Sequence, residues 1–260
     1  MDKSIAKKQV VVQNLLLTYY YAPATAKKPV LLFLHGWRSN STLWFSITTP
    51  LRERGYGIVC LDLPGFGESQ TPTDLLTHSD YCTVVTAFIR KLRLPRLTLI
   101  GHSFGGSLSI KLAVQSPDLF THLVLVNSSG IRKKTAAKFA KQMIAKLLKP
   151  IFYLPFMRGV KTKIYQILGT DDYLTTPELK QIYLNIINED LTPLLSQIAI
   201  PTLIIWGEHD TETPVAFANT MHDLIPSSQL RVFTDASHFS FLDKPKEFVE
   251  TVDEFLQKNA

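Results

Sequence analysis

Apolar residues along this chain follow two alternating patterns. Short, nearly continuous apolar runs occur at 29–34, 56–61, 97–100, 123–126, 201–206 and 230–233. Such runs are typical of strands that are buried on both faces of a parallel sheet. Between them lie segments with apolar groups at helical spacing, at 44–55, 80–94, 214–225 and 245–257. Strands that alternate with helices predict βαβ units and an α/β fold with a mostly parallel central sheet flanked by helices.

The first 25 residues show a different pattern. Residues 15–21 favour a strand, and we expect two strands that turn near Gln13 and Asn14. The lysines before this apolar stretch and the small residues at 24–26 resemble parts of a signal peptide. Because Gln13 and Asn14 interrupt the stretch, we expect no export signal and a cytoplasmic protein.

The alternation of strands and helices stops at Gly130. Residues 130–197 show mostly helical patterns and no clear strand, and the strand pattern resumes at Pro201. We therefore predict a core domain formed by 1–129 and 198–260, interrupted by a helical insertion at 130–197. No run reaches about 18 apolar residues, so no transmembrane helix is expected.

The net charge of +6 is concentrated in this insertion. Residues 130–197 contain 11 Lys/Arg and 5 Asp/Glu, whereas the remainder contains 17 of each. One interpretation is a cap with solvated lysines and an apolar face over a pocket. The other is weak contact with an anionic membrane, or access for an acidic or lipid-like substrate. Nucleic acid is not expected, because no aromatic platform accompanies the charge.

Composition indicates an ordinary soluble globular protein, and the motifs give no sign of a cofactor. Apolar residues make up 45% of the chain and charged residues 19%. Cys60 and Cys82 are too few for a disulfide framework, and Cys60 lies in an apolar run that predicts a reduced core residue. No group of residues has metal-site spacing, and Gly65-Phe66-Gly67 lacks the third glycine of a dinucleotide fingerprint. We expect no cofactor, a small-molecule substrate and a monomer or homodimer.

The stretch Gly101-His102-Ser103-Phe104-Gly105 carries the candidate chemistry. It lies between a predicted strand and a predicted helix, so the turn must be very tight. Side chains at the two glycines would clash, and the serine between them is expected to adopt a strained backbone with an exposed hydroxyl. Ser103 is therefore the candidate nucleophile.

A serine nucleophile needs a base and a group that orients the base. Sites in α/β folds lie at the carboxyl ends of parallel strands. Asp210 follows the strand at 201–206, and His238 follows the strand at 230–233. We predict that His238 is the base and Asp210 its acid partner, with Glu208 or Asp235 as the alternative acids.

The oxyanion of an acyl-transfer transition state needs preorganised N–H donors. One donor is expected to be the backbone N–H of Phe104, which directly follows the nucleophile. The other is expected in the turn after the strand at 29–34, at the N–H of Trp37.

These segments together resemble the α/β-hydrolase fold superfamily, in its serine-nucleophile type with a helical cap. The matching motifs are His35-Gly36-Trp37, Asp62-Leu-Pro-Gly-Phe-Gly-Glu-Ser69, Gly101-His-Ser-Phe-Gly-Gly106, Trp206-Gly-Glu-His-Asp210 and Ala236-Ser-His-Phe239. Relatives that cleave haloalkanes or epoxides have Asp as the nucleophile in this turn, whereas this chain has Ser103.

The resemblance implies a serine hydrolase that cleaves carboxylic esters of small to medium apolar substrates through an acyl-enzyme. A carbon–carbon bond hydrolase with the same residues is the alternative enzyme. A ligand-binding or membrane-associated protein on the same scaffold is the alternative without catalysis. We expect the substrate-binding residues to be Gly36, Trp37, His102, Phe139, Met143 and Phe239.

Overall fold

The computed structural model describes residues 5–25, 27–132, 180–187 and 189–259. In these residues eight strands form one sheet. They are β1 (Ala6–Val12), β2 (Leu15–Ala22), β3 (Val30–Leu34), β4 (Gly57–Leu61), β5 (Leu97–His102), β6 (Phe120–Val126), β7 (Thr202–Gly207) and β8 (Ser228–Phe233). Their order across the sheet is β1-β2-β4-β3-β5-β6-β7-β8.

The sheet is mostly parallel, which confirms the predicted fold class. β1 pairs antiparallel with β2 and β2 antiparallel with β4, while every other neighbouring pair is parallel. Gln13 and Asn14 form the predicted turn between β1 and β2, with φ angles of 46° and 62°. The chain order reverses at β3 and β5, and in open α/β sheets ligands bind at the carboxyl ends of the strands beside such a point.

Helices connect and cover the strands. They are α1 (Phe45–Glu53), α2 (His78–Lys91), α3 (Phe104–Gln115), α4 (Lys180–Ile187), α5 (Thr192–Leu195), α6 (Ala216–Leu224), α7 (Ser240–Asp243) and α8 (Pro245–Lys258). Four of these helices confirm the helical patterns in the sequence, and their ends lie within a few residues of the predicted ones. The predicted ranges were 44–55, 80–94, 214–225 and 245–257. The short α7 was not, because four residues are too few for a helical period to show. No helix among the described residues is long and apolar enough to cross a membrane.

The core is formed by the central strands and the helices packed on them. All residues of β3, β4 and β5 are buried. Trp44 stacks on Phe241 of α7 with ring centroids 4.3 Å apart. Cys60 is a free, fully buried thiol, as expected for a core cysteine.

Contacts divide the chain into two compact units, one formed by 1–131 and 189–260 and the other by 132–188. Most of the second unit, including the predicted substrate-binding residues Phe139 and Met143, lies outside the described residues. Within the first unit, the residues at the end of the segment 1–131 lie next to those at the start of the segment 189–260. They are joined there by a hydrogen bond, in which the Leu191 N–H donates to the Gly130 carbonyl at 2.8 Å.

Glu189 attaches the re-entering chain to two helices of the core. Its carboxylate lies 2.7 Å from Lys111 Nζ on α3 and 2.7 Å from His78 Nδ1 on α2. Burial lowers the pKa of His78 to about 4, the nearby Glu189 opposing that shift. Since Lys111 is itself buried, Glu189 supplies the charge partner that a buried ammonium group requires.

Asp253 on α8 ties the last helix to the segment that precedes β4. It accepts hydrogen bonds from the Tyr56 hydroxyl at 2.7 Å and from the Arg54 guanidinium at 2.9 Å.

Replacing Asp253 with Ala leaves the hydroxyl of a buried tyrosine without its acceptor, and we expect a loss of about 1–2 kcal/mol in the free energy of unfolding. Urea denaturation measures this. The neighbouring exposed residue gives the control, since Glu254→Ala should change stability by less than about 0.5 kcal/mol; equal effects of the two variants would contradict the prediction.

Candidate active site

Ser103 occupies the turn between β5 and α3 in a conformation that non-glycine residues rarely adopt. Its φ and ψ angles are 50° and −112°. A Cβ at Gly105 would overlap the Leu34 carbonyl, and a Cβ at Gly101 would overlap the Gly105 carbonyl. The two glycines therefore permit the close approach of strand and helix that the sequence predicted. Strain of this kind costs about 1–3 kcal/mol and is typical of functional sites.

Asp210 and His238 form a buried pair. His238 Nδ1 lies 2.9 Å from Asp210 Oδ2, and both side chains are almost inaccessible to solvent. Asp210 follows β7 and His238 follows β8, so both lie at the carboxyl edge of the sheet, as Ser103 does. The pairing fixes the tautomer of His238, since Nδ1 must carry the proton that it donates to the carboxylate.

The Asp210 carboxylate is saturated with hydrogen bonds. Oδ2 also accepts from Asn127 Nδ2 and from Thr213 Oγ1, each at 2.7 Å. Oδ1 accepts from the backbone N–H groups of Glu212 and Thr213, each at 2.9 Å. Burial alone would raise the pKa of Asp210, but the hydrogen bonds from His238, Asn127 and Thr213 outweigh it and lower the pKa to about 2. The group is thus a carboxylate at neutral pH.

His102 connects the His238 loop to the turn that contains Ser103. Its Nε2 lies 2.9 Å from the His238 carbonyl oxygen, and the two imidazole rings are 4.8 Å apart. Burial lowers the pKa of His102 to about 3, so its ring is neutral and donates from Nε2. His102 is 1% exposed and packs among aromatic rings, including Phe239 and Phe241. This position supports the His238 loop and does not favour the predicted contact with substrate.

The turn after β3 lies directly beside Ser103. A Cβ placed on Gly36 would be 3.3 Å from Ser103 Cβ. The Leu63 N–H donates to His35 Nε2 at 3.0 Å, so His35 carries its proton on Nδ1, which donates to the Gly36 carbonyl at 2.8 Å. Burial lowers the pKa of His35, in keeping with a neutral ring. His35 thereby holds the turn at Gly36 and Trp37 against the loop after β4.

The predicted donors and pocket residues lie around this turn. Phe104 begins α3, so its N–H belongs to the first helical turn, where N–H groups have no partner within the helix. The Trp37 ring packs edge-on against Phe104 and Phe66, at centroid distances of 5.5 and 4.8 Å. Phe239 is partly buried and packs edge-on against the His238 ring at 5.4 Å.

Two residues that the sequence analysis did not single out hold Asp210 in place. Asn127, with φ 44°, follows β6, and its amide oxygen accepts from Ser240 Oγ at 2.6 Å. Thr213 bonds Asp210 through both its backbone N–H and its hydroxyl. A signal for Asn127 existed, because it stands at the carboxyl end of a parallel strand, as Ser103 and Asp210 do. Thr213 gave none, because its role depends on the conformation of the loop after β7.

The alternative acids make different contacts. Glu208 is exposed, and Asp235 is exposed and lies 4.0 Å from His209. Among the described residues, no cluster of His, Cys, Asp or Glu could hold a metal ion.

Comparison with known proteins identifies the family. The Alpha/beta hydrolase family matches residues 31–251, and the chain belongs to this family. It is therefore a member of a hydrolase family, as the motifs implied.

Individual relatives include esterases. A pimeloyl-[acyl-carrier protein] methyl ester esterase from Nitrosomonas europaea is 30% identical, with 88% of this chain and 96% of that protein covered. A solved membrane phospholipase A is 23% identical with a TM-score of 0.79, covering 98% of this chain and 87% of that one. An esterase from Exiguobacterium antarcticum is 22% identical with a TM-score of 0.76, covering 97% and 100%. The two structures establish a shared fold.

The depressed pKa of Asp210 makes part of the stability depend on pH. Its folded pKa of about 2 lies below the ordinary value of 3.8, so the stabilisation is present above about pH 4 and is lost as pH falls toward 2. We expect the difference in unfolding free energy between wild type and Asp210→Asn to shrink by about 1 kcal/mol between pH 6 and pH 3. Urea denaturation at each pH measures it, with the exposed Asp223→Asn as the matched change. A difference that stays constant over this range would show that the Asp210 contacts do not favour its charged form.

Proposed function

We propose that this protein is a serine hydrolase that cleaves carboxylic esters through an acyl-enzyme. Ser103 is the nucleophile, His238 the general base and Asp210 the group that orients and stabilises the imidazolium. The backbone N–H groups of Phe104 and Trp37 form the oxyanion hole. This assignment gives each predicted residue at the carboxyl edge of the sheet a chemical role.

One observation carries the proposal: a strained serine lies at the edge of the sheet where the buried Asp210–His238 pair also lies. The backbone of the Ser103 turn is held by the Ser103 N–H, which donates to the Val126 carbonyl at 3.1 Å. The same edge holds the His238 loop through His102. A serine has little nucleophilicity without a base, and an imidazole with its Nδ1 bound to a carboxylate is the base that such a serine requires.

The proposed reaction has two stages, acylation of Ser103 and hydrolysis of the acyl-enzyme. His238 Nε2 takes the Ser103 proton as Oγ attacks the ester carbonyl, and the oxygen that gains negative charge binds to the N–H donors. The tetrahedral intermediate collapses, the alcohol leaves with the proton from Nε2, and the acyl group stays on Ser103. Water then attacks the acyl-enzyme with His238 as base, which releases the carboxylic acid and restores the hydroxyl.

The comparisons support the choice of an ester. The Nitrosomonas relative is a methyl ester esterase, and a 3-oxoadipate enol-lactonase 2 from Acinetobacter baylyi is 25% identical over 90% of this chain. Methyl esters and lactones share the acyl–oxygen bond that the proposed mechanism breaks. The partly buried Trp37, which packs on Phe104, and Phe239, which packs on His238, favour an apolar acyl group.

Replacing Ser103 with Ala removes the nucleophile and should lower kcat/KM for short p-nitrophenyl esters by about 10³-fold or more. Circular dichroism and the unfolding midpoint should change little, since the substitution removes only one oxygen. Ser46→Ala, at an exposed serine on α1, is the matched control and should keep full activity. Retention of ester turnover by Ser103→Ala would refute the assignment.

A further inference from the structure

The His238 ring lies between two carboxylates, one at each nitrogen. Asp210 Oδ2 is 2.9 Å from Nδ1, and Glu212 Oε2 is 3.4 Å from Nε2. The proposed mechanism uses Asp210 but gives Glu212 no part. The two carboxylates also differ in exposure, because the Asp210 side chain is buried whereas that of Glu212 is 64% exposed. Glu212 therefore places a solvent-facing charge at the nitrogen that handles the transferred proton.

The position of Glu212 is set by Asp210. The Glu212 N–H donates to Asp210 Oδ1 at 2.9 Å, and the next residue, Thr213, bonds the same carboxylate through two groups. The main chain that carries Glu212 is thus fixed to the centre of the site. The Glu212 side chain extends from this fixed main chain to His238 Nε2.

No basic side chain in the described part of the chain neutralises the charge of Glu212. No lysine or arginine of these residues lies within 4.0 Å of its carboxylate, which contacts the His238 ring. His238 in turn faces the Asp210 carboxylate. The groups around Nε2 therefore present negative charge toward a bound molecule.

We propose that Glu212 determines specificity for the alcohol part of the ester and favours an alcohol that carries a positive charge. This inference rests on the proposed hydrolase function. In that reaction Nε2 delivers its proton to the leaving oxygen, so the leaving group must lie within hydrogen-bonding distance of Nε2. Because Glu212 Oε2 is 3.4 Å from the same atom, it lies on the alcohol side of the scissile bond. An ammonium group two carbons from the ester oxygen is within reach of it.

The test compares two esters of the same acyl group that differ in charge alone. One alcohol is 2-(trimethylammonio)ethanol and the other is its uncharged isostere, 3,3-dimethylbutanol. The readout is the ratio of kcat/KM for the cationic ester to that for the neutral ester. Coulomb attraction over about 5 Å in a solvated site corresponds to a factor of about 4, so Glu212→Gln should lower this ratio by about 4-fold. Glu212→Lys should lower it further, and added salt should lower the wild-type ratio.

Glu208→Gln supplies the matched control. Glu208 is exposed and lies in the same loop after β7, so the variant makes the same chemical change without altering the group at Nε2. The ratio should equal that of the wild type. A ratio that is the same in wild type, Glu212→Gln and Glu208→Gln would overturn the inference, and so would an equal decrease in both variants.

Competition for Ser103 separates failure of this inference from failure of the proposed function. Both esters are tested for their ability to slow labelling of Ser103 by a fluorophosphonate, with Ser103→Ala as the blank. Stronger protection by the cationic ester in wild type, lost in Glu212→Gln, supports the inference. Labelling with equal protection by the two esters rejects the role of Glu212 and leaves the serine hydrolase intact. No labelling of the wild type rejects the proposed function and, with it, the inference.

Discussion

The buried Asp210 carboxylate is the constraint on which the site depends. It binds His238 from the loop after β8, Asn127 from the end of β6 and two backbone N–H groups of its own loop after β7. A buried charge is stable only when such partners surround it. The same contacts that stabilise the carboxylate therefore align three loops at one edge of the sheet, and the orientation of His238 is a consequence of satisfying the charge of Asp210.

The tight turn at Ser103 depends on glycines that lack side chains, not on a network of hydrogen bonds. Leu34 and α3 approach so closely that Gly105 has room for no Cβ. That approach brings the turn at Gly36, the start of α3 and Ser103 to one place. A polar network around Asp210 and a glycine-permitted contact around Ser103 together define the geometry in which acyl transfer is proposed.

Most of the fold was predictable from the sequence because its signals are local. Buried strands appear as continuous apolar runs, and the strained serine as a strand, a glycine-flanked turn and a helix. The rule that sites lie at strand carboxyl ends led to Asp210 and His238, which the structure brings into a hydrogen bond.

What the sequence did not reveal depends on how loops fold. The hydroxyl of Thr213 and the carboxylate of Glu212 reach Asp210 and His238 because of the conformation after β7, and no periodicity encodes that conformation. His102 lies beside the serine in sequence, yet its side chain turns into the core to hold the His238 carbonyl. Adjacency along the chain was a poor guide to which way a side chain faces.

Direct capture of the acyl-enzyme is the most decisive test of the proposed mechanism. The protein is mixed with a p-nitrophenyl ester, quenched in acid during turnover, digested and mapped by mass spectrometry. We expect one added acyl group on the peptide that contains Ser103, formed with a burst of p-nitrophenol whose amplitude equals the enzyme concentration. An acyl group on another residue, or turnover without any acylated peptide and without a burst, would contradict it.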